Sequence, residues 1–159
     1  MLGLVKWAYV VALSVWLGTI VFFSFVGAPG VFGAFAESQR AEAGRVIGRL
    51  FPGYYRLGYA CGVVLFLTSV ILAVAAREGS SIWVASALLS AMMLGATLYA
   101  GVILQPRVHE LGLRTHEADV TTQVKDEFDR LHQRAVQLNV VVLIGALVMT
   151  SVVAARMRP

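Results

Sequence analysis

The residues with the most chemistry to offer sit in one run, RLHQRAVQLN, from Arg130 to Asn139. It holds two arginines, a histidine, two glutamines and an asparagine, and it leads straight into VVVLIGALVMTSVVAA. On a helical wheel His132 lies about 20° from Asn139 and about 40° from Phe128, at the border of the apolar stripe. Two roles suit that placement. His132, Asn139 and Tyr54 could make polar contacts between helices, each worth roughly 1 kcal/mol or less. They could equally line a site for a small molecule or a metal ion. Arg130, Gln133 and Gln137 fall on the wet side of the same helix.

A second set is His109, Glu110, His116 and Glu117, two pairs at a spacing of seven. Two histidines and two carboxylates could hold a metal. The same spacing describes a solvated amphipathic helix, and Gly112 between them weakens any helix there. A transmembrane haem needs axial histidines at membrane depth. The three histidines, His109, His116 and His132, all belong to the region before the last apolar stretch. No Asp or Glu interrupts a span, so a proton relay loses its usual parts. No catalytic constellation emerges and the residues ask for no cofactor; the expectation is a protein that is not an enzyme.

The elements that must carry these groups are read from hydropathy. The chain has 159 residues, 58% of them hydrophobic and 14% charged, where a soluble domain is nearer a quarter charged. A spanning helix needs about 20 apolar residues. Four windows qualify: 7–27, 57–76, 82–104 and 135–155. Backbone groups must pair internally in lipid, so each should be a helix. AFA (Ala34 to Ala36) resembles a signal-peptidase site, but the run from Trp7 to Gly27 is long enough to span and is expected to be retained. The whole chain, 1–159, reads as a single four-span domain.

The net charge of +4 comes from basic residues flanking apolar spans, which sets orientation and meets anionic lipid rather than nucleic acid. Arg40, Arg45, Arg49, Arg56, Arg107, Arg114, Lys125, Arg130 and Arg134 lie on one side, and Lys6, Arg77, Arg156 and Arg158 on the other. That balance favours long loops 1 and 3 in the cytoplasm of a bacterial inner membrane. Cys61 is alone among apolar neighbours and reads as a buried thiol.

The links differ. REGSS (Arg77 to Ser81) is a tight turn between antiparallel helices. In loop 1, GAPGVFGAF should break the first helix. Ala43, Val46, Ile47, Leu50 and Phe51 then follow helical spacing, supported by Glu37 before Arg40 and Glu42 before Arg45. This predicts an amphipathic helix lying at the interface. Loop 3 opens at Pro106. From Asp119 the stripe Val120, Val124, Phe128, Leu131, Ala135, Leu138 runs into the fourth span, predicting one rod from about 120 to 155, roughly 54 Å long. The fold class is therefore all-α: an integral membrane four-helix bundle with amphipathic helices in loops 1 and 3.

Small residues mark close helix approach: Gly58 and Gly62, and Ala96 and Ala100. Trp7, Tyr9, Tyr54, Tyr55 and Trp83 suit interfacial belts. Met92 and Met93 are adjacent and point to different faces.

LFPGYYRLG (Leu50 to Gly58), RLHQRAVQLN and WLGTIVFFSFVGAPGVF (Trp16 to Phe32) resemble segments of the transmembrane-protein-205-like family, small four-helix membrane proteins without an established molecular function. That resemblance implies distinctive positions at Trp16, Gly18, Phe51, Pro52, Tyr54, His132 and Asn139. A more distant likeness, to four-helix haem or copper-handling membrane proteins, fails at the first helix. Those proteins place a histidine there, where this chain has Tyr9.

Three functions are carried forward. The first is a non-enzymatic accessory or structural subunit of a membrane complex, or a homo-oligomer, with the lipid bilayer and other membrane subunits as partners. The second is a small-molecule or metal-ion carrier at His132 and Asn139. The third is a haem- or quinone-binding redox protein.

Overall fold

The computed structural model describes residues 2–75, 80–115 and 121–156. Among them there are only helices. α1 (Leu2–Phe22) passes through a π turn (Phe23–Gly27) into α2 (Ala28–Ala34). A 3-10 turn (Glu37–Gln39) opens α3 (Arg40–Ala75). α4 (Ser80–Leu98) passes through a second π turn (Tyr99–Leu104) into α5 (Gln105–Arg114), and α6 (Thr122–Arg156) closes the chain. Joined end to end these make four rods, Leu2–Ala34, Glu37–Ala75, Ser80–Arg114 and Thr122–Ala155, each long and apolar enough to cross a membrane. The chain is an all-α, four-helix membrane bundle.

The expected break at GAPGVFGAF comes later than the sequence suggests. The first helix runs on to Ala34, past Pro29. Proline lacks an N–H and its ring crowds the carbonyl four residues back. The π turn relieves both, because Ala28 donates its N–H to the carbonyl of Phe23, five residues back. The third rod solves Pro106 the same way: Gln105 N–H reaches Ala100 and the helix continues to Arg114.

The amphipathic stretch expected in loop 1 is helical but does not stand apart. It is the opening of α3, continuous through Pro52 with the second span. Ala43 and Ile47 are buried, whereas Val46 and Leu50 are exposed. The pair Glu42–Arg45 closes at 3.0 Å on its surface. The amphipathic helix of loop 3 is α5, which packs Val108 and Leu111 against Leu131 of α6. Val124, Phe128, Ala135 and Leu138 complete that outer cluster, so the stripe runs from the cluster into the membrane face. Val120 lies outside the described residues.

Neighbouring rods pack in a ring, first on second, second on third, third on fourth and fourth on first. The main core gathers Tyr9, Leu13, Trp16, Ile20, Leu65, Met93 and Val142. Tyr9 is therefore no belt residue: it is 1% exposed, edge-on to Trp83 at 5.6 Å. Trp7 does stay outside. Met93 is buried and Met92 exposed, and Cys61 is a buried free thiol.

Burial repeats along the chain. Leu13 and Ser90, Trp16 and Met93, Ile20 and Thr97, Leu65 and Val142, Ser69 and Ala146, and Leu72 and Met149 are all buried. Each pair is 77 residues apart. Gly18 and Pro29 fall on Gly95 and Pro106 at the same offset, and Phe51 falls on Phe128. Both halves pair a rod carrying a π turn and a proline with a long α-helix. The two halves therefore follow one two-helix pattern in tandem, as in membrane proteins built from parallel repeats.

Candidate functional site

The polar centre of the bundle is a chain of three side chains from three rods. Tyr54 donates its phenol hydrogen to Oδ1 of Asn139. Asn139 Nδ2 donates to Oγ of Ser24 at 2.9 Å. Tyr54 comes from α3, Asn139 from α6 and Ser24 from the first π turn. The second and fourth rods are diagonal in the ring, so this contact ties together helices that do not otherwise neighbour one another. In hydrocarbon an unpaired amide is costly, and here both ends of the Asn139 amide are used.

Local structure explains why these groups meet. A π turn adds a residue to the turn and re-aims the face that follows. It brings Phe23 onto Tyr54 with ring centroids 4.7 Å apart and turns Ser24 to Asn139. Phe51 leans on Phe23 at 5.3 Å. Trp16 lies over Gly58 and Gly62. A Cβ at Gly58 would stand 3.3 Å from its Nε1, and one at Gly62 3.1 Å from its Cη2. The Gly58/Gly62 seam therefore packs within the chain, against Trp16, Thr97 and Leu94. Ala100 is buried and Ala96 packs on the same core.

The structure does not bring His132 to Asn139. His132 is exposed and stacks on Phe128, 5.7 Å between ring centres and 11° from parallel. Seven residues close the wheel to 20° but climb about 10 Å along the axis, so the two share a face and not a site. The space beside Asn139, walled by Trp16, Tyr54 and Thr97, amounts to about 10 Å³, room for one water. His109 packs its ring against Gly48, 3.0 Å from where a Cβ would be. His116 and Glu117 lie outside the described residues, and among those described no group of three His, Cys, Asp or Glu could hold a metal. Gly18 faces outward with open space beyond it. Pro52 lies on the outside of α3.

Two features escaped the sequence. Ser24 carries no mark in an apolar run, although it sits at the same end of its span as Asn139 does of its own. The other is a lateral groove of about 380 Å³ between the second and third rods, with Arg56 and Tyr59 on one wall and Gln105 and His109 on the other. Its floor forms where Gly101 meets the ladder Tyr55–Tyr59, stacked at 6.3 Å. A Cβ at Gly101 would overlap the Tyr59 hydroxyl and come within 2.6 Å of the Tyr55 ring.

Bundle and clamp together define the class, a four-span all-α membrane protein. Residues 11–117 match the family model described as a domain of unknown function, DUF4149, and the chain belongs to that family. The match takes in Ser24, Tyr54 and the lateral groove, and ends before Asn139. None of the curated proteins and none of the solved structures compared with the chain matches it.

Proposed function

We propose that this protein is a non-enzymatic membrane subunit, an accessory or structural component of a larger complex or of a homo-oligomer. The observation that carries this reading is the Tyr54–Asn139–Ser24 clamp. It spends the polar atoms of Tyr54, Asn139 and Ser24 on one another, beside a space for a single water. A carrier at Asn139 would need a chamber on the order of 300 Å³ or more. The recognisable features left for function lie on the outside. Ser14 and Gly18 on the first rod, and Ala91 and Gly95 on the third, are exposed small residues at repeat-equivalent positions. Nothing lies within 4 Å of a Cβ placed at Gly18 or Gly95, which suits close approach by another helix.

The basic residues around loops 1 and 3 support a cytoplasmic position for that end of the bundle in a bacterial inner membrane. The LFPGYYRLG and RLHQRAVQLN segments support kinship with the transmembrane-protein-205-like family.

Purification from native membrane in mild detergent, followed by native mass spectrometry, tests the subunit role. The expected result is a stoichiometric assembly larger than one chain, weakened by Gly18→Leu combined with Gly95→Leu while helicity is kept. A monodisperse monomer without partners overturns it.

A further inference from the structure

The lateral groove between the second and third rods has a polar end, a cation and an apolar end, in that order. Along α3 it extends from Gly48 to Tyr59, about 16 Å of helix. The outer end is where His109 packs on Gly48. Further in come Pro52 and Pro106, then Arg56 and Gln105 with Tyr55 beside them, and Val102 and Tyr59 line the inner end. This order matches the membrane itself. Arg56 directly precedes the apolar window of the second rod, and Gln105 directly follows that of the third. The level of Arg56 and Gln105 therefore lies at headgroup depth, and the inner end of the groove reaches into acyl chains.

Charge narrows the occupant. No Asp or Glu lines the groove, and among the described residues the guanidinium of Arg56 has no carboxylate partner. The one ion pair there is Glu42–Arg45. A planar, permanently charged guanidinium matches phosphate oxygens in a two-pronged contact, and the Gln105 amide lines the same groove as a further donor. A free anion would satisfy Arg56 but leave the walls of Val102, Pro52 and Pro106 facing nothing of their own kind.

We infer that this groove is a binding site for an anionic phospholipid, its phosphate on Arg56 and Gln105 and the start of an acyl chain along Val102 and Tyr59. The site is independent of the clamp and does not rest on the subunit role.

The test uses the full chain in neutral detergent, with phosphatidylglycerol, phosphatidylcholine or inorganic phosphate added. Lipid retention is read by native mass spectrometry and the thermal midpoint by circular dichroism. The wild type is expected to retain phosphatidylglycerol in preference to phosphatidylcholine and to gain in midpoint with it, and to show no shift with phosphate. Arg56→Gln should weaken that retention about tenfold, the effect of losing one good cation–phosphate contact. Val102→Trp, which fills the inner end and leaves the cation in place, should also weaken it. Arg49→Gln, an exposed arginine of the same helix outside the groove, should leave it unchanged. Equal retention of the two lipids overturns the proposal, as does a shift with phosphate alone. So does normal retention by either groove variant, or a loss with Arg49→Gln equal to that with Arg56→Gln.

Discussion

At the scale of single residues, the clamp is the decisive feature, and its energetics follow from leaving a partner unpaired. Removing one member of a buried pair costs more than replacing both, because the survivor keeps its desolvation penalty. Tyr54→Phe keeps the ring that packs on Phe23 and removes only the donor to Asn139 Oδ1. It should destabilise the bundle by about 1 kcal/mol. Asn139→Leu in the Tyr54→Phe background should cost less than the two single changes summed. Unfolding in mixed detergent, run as a double-mutant cycle, measures the coupling; additivity would mean that the pair does not interact. Asn139 was legible in the sequence because it is the amide set deepest in an apolar run. Its partner Ser24 was not, since a serine hydroxyl can always return to its own helix. His132 was misjudged because a wheel projects away the axial rise, and that rise separates it from Asn139 by two turns.

At the scale of elements, the four spans were readable because lipid demands a fixed length of apolar helix. What the sequence hid was continuity. Pro29, Pro52 and Pro106, with neighbouring glycines, look like breaks, yet all three lie inside rods. For Pro29 and Pro106 the reason is the π turn just upstream. The rods consequently extend past the apolar windows at one end, where α5 and the first third of α6 build their own small core on Leu111 and Leu131. That core is separate from the one around Trp16 and Leu65, so the two should open independently. Leu131→Ala, in a site 7% exposed, removes about 2–4 kcal/mol of packing. Hydrogen exchange is expected to accelerate in α5 and the start of α6 and to stay slow from Val142 onward. Uniform acceleration along α6 would show one cooperative unit instead.

At the scale of the whole molecule, the 77-residue repeat divides the chain into two helix pairs, 2–75 and 80–156; the tight turn expected at Arg77 to Ser81 falls largely outside the described residues. Each pair presents buried positions in the same register, and each packs on the other across two seams. Two separately expressed pieces, ending at Ala75 and starting at Ser80, should therefore find one another in the membrane. Affinity capture of a tagged first piece should recover the second in a one-to-one ratio; recovery of the tagged piece alone would show that the covalent link is needed.

The repeat also explains how so small a bundle can hold two unlike polar features. In a symmetric dimer of helix pairs, every substitution appears twice, once at each seam. A tandem chain is free of that constraint. The counterpart of Asn139 is Gly62, covered by Trp16, and the counterpart of Ser24 is Gly101, covered by tyrosines. Arg56 likewise corresponds to Gln133. One seam holds the Asn139–Ser24 hydrogen bond, and the other holds glycines, close packing and the groove cation Arg56. A single chain carrying both units lets the two seams differ, one holding polar contacts between helices and the other close glycine packing beside a groove.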